Sequence, residues 1–98
     1  NYDLIFNKIH NNIKLLHNAY KNKIGTSNKF KNNTCFQLFG LDYIITSDLN
    51  ILLLEINKGP IMSYINSKDY YLKYKLFNDI FETVGIIKSS SKNLFIQI

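Results

Sequence analysis

Two β-forming runs separated by one short polar break constrain this chain more than any other feature. Residues 35–46 are rich in aromatic and β-branched side chains, and residues 51–57 read Ile-Leu-Leu-Leu-Glu-Ile-Asn. Between them stand Ser47, Asp48, Leu49 and Asn50, of which three have side chains that hydrogen-bond nearby backbone and so favour turns. Strands joined this closely must pair antiparallel, because parallel neighbours need a crossover of a dozen or more residues. Lys58, Gly59 and Pro60 end the hairpin: proline cannot donate to a ladder, and glycine permits a sharp change of direction.

Centring the turn between Asp48 and Leu49 predicts a register. Thr46 then faces Ile51, Asp42 faces Glu55, and Gly40 faces Asn57. Side chains alternate between faces, so Asp42, Glu55 and Asn57 gather on one of them, with Gly40 leaving room beside Asn57. Phe36, Leu38, Ile44, Ile51 and Leu53 share that face. Phe39, Leu41, Tyr43, Ile45, Leu52, Leu54 and Ile56 occupy the other, which is apolar throughout and is expected to be core. With both faces mainly apolar, the acidic pair is expected in partly buried surroundings.

Carboxylates placed directly opposite one another repel, the more so when buried. Three arrangements relieve this. A shared proton raises one pKa; a lysine inserts, Lys58 being nearest in sequence; or a divalent cation binds. Two carboxylates and an amide oxygen are hard donors that suit Mg²⁺ completed by water and phosphate. A one-residue slip of the turn would send Glu55 to the far face and dissolve the cluster.

Helices flank the hairpin in sequence. Over residues 3–23, Ile5, Ile9, Ile13, Leu16 and Tyr20 recur at helical spacing, Asp3 can cap the start, and Gly25 can end the helix. His10 and His17 share this helix seven positions apart, not the four that a metal pair prefers, and read as ordinary partly exposed residues. Residues 26–34 are a polar loop with Lys29, Lys31 and Phe30. A second helix is predicted over residues 67–84, capped by Ser67, ended by Gly85, with Tyr70, Tyr74, Phe77, Phe81 and Val84 as an apolar stripe that reads as core. The closing run, residues 94–98, reads as a strand without a partner in this chain.

Composition sets outer limits. The 98 residues, 46% hydrophobic, suffice for one packed domain. All the positive charge behind the net +5 is lysine, in a text dominated by Asn, Lys and Ile, a bias that A/T-rich coding explains as well as an acidic partner does. The absence of arginine counts against sequence-specific DNA reading, so nucleic acid is not expected as a partner, although a basic binding module stays open. Cys35, the lone cysteine, allows no intrachain disulfide, and a reducing compartment is the default. No signal peptide is visible and no apolar run approaches the roughly 20 residues of a membrane span; the chain is expected to be cytoplasmic. Its first residue is Asn1, which reads as a piece of a longer protein.

The run from Cys35 to Tyr43, CFQLFGLDY, resembles the F-x-L-x-G-x-D strand of the tubulin–tyrosine ligase and tubulin–tyrosine-ligase-like family. Leu53 to Pro60, LLEINKGP, is similar to that family's L-x-E-V-N-x-x-P strand and exit, with matching separation between Asp42 and Glu55. The lysine-containing run from Asp69 to Asp79 resembles the helix that follows in many members. The resemblance covers residues 1–87, read as the C-terminal part of an ATP-grasp ligase domain, and leaves residues 88–98 as an unassigned tail. It implies an α+β fragment of an ATP-grasp fold and an ATP-dependent ligase that joins a free amino acid, tyrosine or glutamate, to the acidic tail of tubulin through an acyl phosphate. It further implies Mg²⁺ and ATP as cofactors, with Asp42 holding one Mg²⁺, Glu55 bridging two and Asn57 completing the second site. Association with microtubules follows from the same likeness. A ligase on a non-tubulin substrate remains the alternative. The nucleotide-binding lysines of such a fold lie outside these residues, so the chain alone is not expected to catalyse.

Overall fold

The hairpin forms around a turn that is shorter than the sequence predicts. In the computed structural model, which describes residues 1–23, 36–88 and 92–98, the Leu49 amide donates to the Thr46 carbonyl at 3.0 Å and the Thr46 amide to the Asn50 carbonyl at 2.9 Å. The loop is therefore Ser47, Asp48 and Leu49, with Leu49 in the left-handed region at φ 63°. This is the three-residue hairpin connection, a type I turn followed by a left-handed residue. Side chains hold it: the Thr46 hydroxyl donates to the Asp48 carboxylate and accepts from the Asn50 amide at 3.0 Å, and Asn50 Nδ2 donates to Asp48 at 2.9 Å.

Strands β1 (Gly40–Ile45) and β2 (Ile51–Asn57) form a two-stranded antiparallel sheet. Ile45 pairs with Ile51, Ile44 with Leu52 and Tyr43 with Leu53; the register then shifts, and Asp42 pairs with Glu55, Leu41 with Ile56 and Gly40 with Asn57. Leu54 is the extra residue, a bulge in β2. One predicted pairing and three face assignments thus need correcting near the turn. Ile51 faces Ile45 and not Thr46, and Ile51 and Leu53 lie on the Tyr43 face while Leu52 lies on the Asp42 face. Burial agrees, since Tyr43, Ile51 and Leu53 are half-buried whereas Ile44 and Leu52 are exposed.

Helix α1 (Tyr2–Tyr20) covers the Tyr43 face. Its half-buried Ile5, Ile9, Ile13 and Leu16 follow the expected stripe, while Tyr20 is exposed. Asn1, not Asp3, occupies the N-cap position, and the C-cap is Lys21. Polar contacts fix the helix over the hairpin. Tyr43 Oη donates to Asn12 Oδ1 at 2.8 Å, and Lys8 Nζ donates to the Leu49 carbonyl at 2.6 Å and to Asn50 Oδ1 at 3.0 Å. Burial raises the Tyr43 phenol above its usual pKa. The element content is mixed α+β, as expected.

Chain contacts divide the molecule into Asn1–Gly59 and Pro60–Ile98. The second unit is built on helix α2 (Ser67–Thr83). Asn66, one residue before the predicted cap Ser67, is the N-cap: its backbone is extended and its side chain accepts from the Asp69 amide at 2.9 Å. Asp69 accepts from the Ile65 amide at 3.2 Å and pairs with Lys73 one turn on. Gly85, at φ 83°, ends the helix as predicted: its amide reaches the Glu82 carbonyl, and that of Ile86 reaches Phe81 at 2.8 Å, the Schellman arrangement.

The stripe expected to be core is instead largely open, with Tyr74 58% exposed and Tyr70, Phe77 and Val84 also exposed. The covered side of α2 centres on Asp79 and Ile80, 2% and 5% exposed. The reason is the chain's closing segment, which is not a strand and lies against α2 through hydrogen bonds to Asp79. The predicted loop of residues 26–34, with Lys29, Phe30 and Lys31, and the positions of Gly25 and Cys35 lie outside the described residues.

Candidate functional site

At the end of the hairpin away from the turn, Asp42 on β1 stands directly across from Glu55 on β2. Asn57, two residues beyond Glu55, returns to the same face and sits opposite Gly40. All three predicted site residues are therefore brought together. Asn57 Nδ2 lies 3.4 Å from Asp42 Oδ2 and 3.3 Å from Glu55 Oε1. One amide thus reaches both carboxylates, at distances near the long limit of a hydrogen bond. Among the described residues no lysine, Lys58 included, forms an ion pair with either acid.

The surroundings differ from the expected ones. Asp42, Glu55 and Asn57 are exposed rather than partly buried, because α1 packs on the opposite face of the hairpin. Two grooves among the described residues lie elsewhere, one bordered by Lys8, Asn12 and Asn50 and another by Tyr64, Asn66 and Tyr71. The acids stand on an open face beside Ile44 and Leu52.

The donor set suits a hard divalent cation. Two facing carboxylates supply negative charge, and a half-turn of the Asn57 amide, whose O and N are interchangeable in shape, presents an oxygen in place of the nitrogen. As the side chains stand, the amide hydrogens offset part of the repulsion; toward a cation the same amide would offer a third oxygen. Among the described residues no group of three or more His, Cys, Asp and Glu gathers anywhere, so remaining coordination positions would fall to water and phosphate. His10 is half-buried and His17 exposed on α1, consistent with ordinary roles.

Two residues escaped the sequence reading. Gln37 Nε2 donates to the Lys58 carbonyl and to the Leu38 carbonyl at 2.9 Å, tying the approach to β1 to the chain just after Asn57. Glutamine carries no strong positional signal, and nothing in the sequence marks this contact. Leu54 was read as an ordinary residue of the apolar face; where both faces of a strand are mainly apolar, three successive leucines carry no sign of a bulge.

Comparison with known proteins agrees with the strand motifs. Residues 1–93 match the model of the Tubulin-tyrosine ligase family. The chain belongs to this family. Among its relatives, the Probable tubulin polyglutamylase TTLL2 of Homo sapiens is 37% identical over 81 residues, 83% of this chain and 13% of that protein. The Probable tubulin polyglutamylase TTLL9 of Mus musculus is 40% identical over 52 residues, 53% of this chain and 11% of the relative. The Probable tubulin polyglutamylase ttll-9 of Caenorhabditis elegans is 33% identical over 58 residues, 59% of this chain and 14% of the relative. The matched segment thus spans about one seventh or less of the length of these relatives. No solved structure matches the chain. The mixed helix and hairpin content fits a fragment of the family's fold.

Proposed function

We propose that this chain is the magnesium-nucleotide end of an ATP-dependent ligase that adds an amino acid, tyrosine or glutamate, to tubulin. The observation that carries the reading is the pairing of Asp42 with Glu55, with the Asn57 amide within reach of both. Family membership and relatives named as tubulin polyglutamylases support it. Residues 1–87 then form the C-terminal part of an ATP-grasp domain, and the protein works in the cytoplasm, on or near microtubules.

In this reading Asp42, Glu55 and Asn57 would hold Mg²⁺, the two carboxylates by their charge and Asn57 through its amide oxygen; the family resemblance assigns Glu55 to both ions of a pair. When bound, Mg-ATP would supply the γ-phosphoryl group that converts a carboxylate into an acyl phosphate with release of ADP, and an incoming amine would then displace phosphate from the acyl carbon as the amide forms. The contribution of these side chains is electrostatic: they fix positive charge where phosphate oxygens must lie. The net charge of +5 favours approach to an acidic protein tail.

The test is Glu55→Gln in the complete protein, assayed with ATP, Mg²⁺, labelled tyrosine or glutamate, and tubulin. Turnover is expected to fall by about 100-fold or more, the scale on which removing one electrostatic stabiliser acts, with the melting temperature unchanged. Unchanged turnover would remove Glu55 from the site. Wild-type protein that incorporates neither amino acid into tubulin would overturn the substrate.

A further inference from the structure

The Leu54 bulge lies between two parts of β2 that need opposite orientations. Toward the turn, Ile51 and Leu53 must face α1, and they are half-buried there. Toward the exit, Glu55 and Asn57 must face away from α1, on the side of Asp42. In a regular strand residues 53 and 55 would share a face. The three-residue turn makes the conflict concrete, since continuing its register without interruption would set Leu54 opposite Asp42 and Glu55 opposite Leu41, under the helix. The extra residue resolves this. It resets the pairing by one, so that Leu53 stays against α1 and Glu55 emerges beside Asp42.

Leu54 does not act through its side chain, which is 60% exposed. What matters is the additional backbone unit immediately before Glu55. Bulges bend a strand, increase its local twist and re-aim neighbouring side chains.

We propose that the Leu54 bulge is a positioning element of the cation site, setting the angle at which Glu55 meets Asp42 and Asn57. This rests on the Mg²⁺ reading given above. Removing Leu54 is informative because it keeps the pairing: with one residue fewer, a regular ladder still places Glu55 opposite Asp42 and Asn57 opposite Gly40, and only the bend is lost. A residue that mattered only for pairing would leave the site intact.

The experiment measures binding of Mn²⁺ alone, counted as free ion by electron paramagnetic resonance, to the full chain, with thermal melting as the check on folding. Four proteins are compared: wild type, Leu54→Ala, a deletion of Leu54, and an alanine insertion after Leu54. Leu54→Ala is expected to bind within twofold of wild type, because the bulge remains. The deletion and the insertion are expected to melt cooperatively and to bind at least tenfold more weakly. Wild-type affinity in either folded variant overturns the proposal. Loss of cooperative melting in both variants also overturns it, by making the bulge a requirement of folding and not of aim. A Glu55→Gln control separates the two levels: if it binds Mn²⁺ as wild type does, the cation site itself fails, whatever Leu54 does.

Discussion

The hairpin and α2 hold carboxylates in opposite ways. Asp79, in the middle of α2, is 2% exposed and saturated. It pairs with Lys75 one turn earlier, and its second oxygen accepts from the Leu94 amide at 3.2 Å. The Lys75 ammonium first, and then the Leu94 amide, hold its carboxyl below the ordinary value of 3.8. Lys75 also donates to the Lys92 carbonyl, and Asn93 donates to the Asp79 carbonyl, so one carboxylate ties the closing segment to the helix. Asp42 and Glu55 are exposed, face each other, and share one amide at long range. A buried carboxylate with a partner on each oxygen is closed to a ligand from solvent and serves as structure. An unsaturated pair keeps lone pairs and charge available. The difference makes the hairpin pair, and not the buried aspartate, the candidate for ligand chemistry.

The largest effect should come from removing charge on the open pair. Asp42→Asn is expected to weaken Mg²⁺ binding at least tenfold without lowering the melting temperature, because it also removes a like-charge contact across the strands. Calorimetric titration with melting curves would check this; a large drop in melting temperature would place Asp42 in the same class as Asp79 and erase the contrast.

Next comes the pH dependence of the saturated carboxylate. Because the folded-state pKa of Asp79 lies below its ordinary value, its contribution to stability is fully present above about pH 4 and is lost as pH falls through the depressed value. Asp79→Asn should therefore be less stable than wild type near neutrality, with a flatter decline in acid. Urea unfolding at several pH values between neutrality and acid would show it, and parallel curves for the two proteins would refute it.

Smaller effects are expected at the turn, where hydrogen bonds are local. Thr46→Val keeps the β-branched shape and removes the hydroxyl that bridges Asp48 and the Asn50 amide, at a cost of about 1 kcal/mol in denaturant unfolding. Leu49→Gly relieves the left-handed backbone but adds chain entropy, and should change stability by no more than about 0.5 kcal/mol. A loss well beyond that would mean that packing of the Leu49 side chain, and not backbone geometry, secures the turn.

Much of the local structure was legible before the fold was seen. The apolar period of α1, the stop at Gly85, the hairpin itself and the meeting of Asp42 with Glu55 all follow from short-range rules. Yet that last pairing was reached through two compensating differences. The loop is one residue shorter than the composition implies, and the Leu54 bulge restores the missing step. Turn length depends on whether Leu49 accepts a left-handed backbone, an unfavourable conformation for leucine that the Thr46, Asp48, Asn50 and Lys8 contacts stabilise. No local pattern announces that.

The sequence alone determined which residues are apolar, where α2 stops and which polar side chains are close enough to cooperate, because those properties depend on spacing along the chain; α1 ends at Tyr20, short of the predicted residue 23. Tertiary structure decided which hairpin face α1 would cover, hence that Asp42 and Glu55 are exposed. It also decided that α2 buries Asp79 and Ile80 in preference to its tyrosine and phenylalanine stripe. Both faces of the hairpin and both sides of α2 carry enough apolar surface to be core. When several faces are energetically similar, the choice falls to whichever distant segment reaches one of them with its hydrogen bonds satisfied, as Lys8 and Asn12 do on the hairpin and Asn93 and Leu94 do on α2.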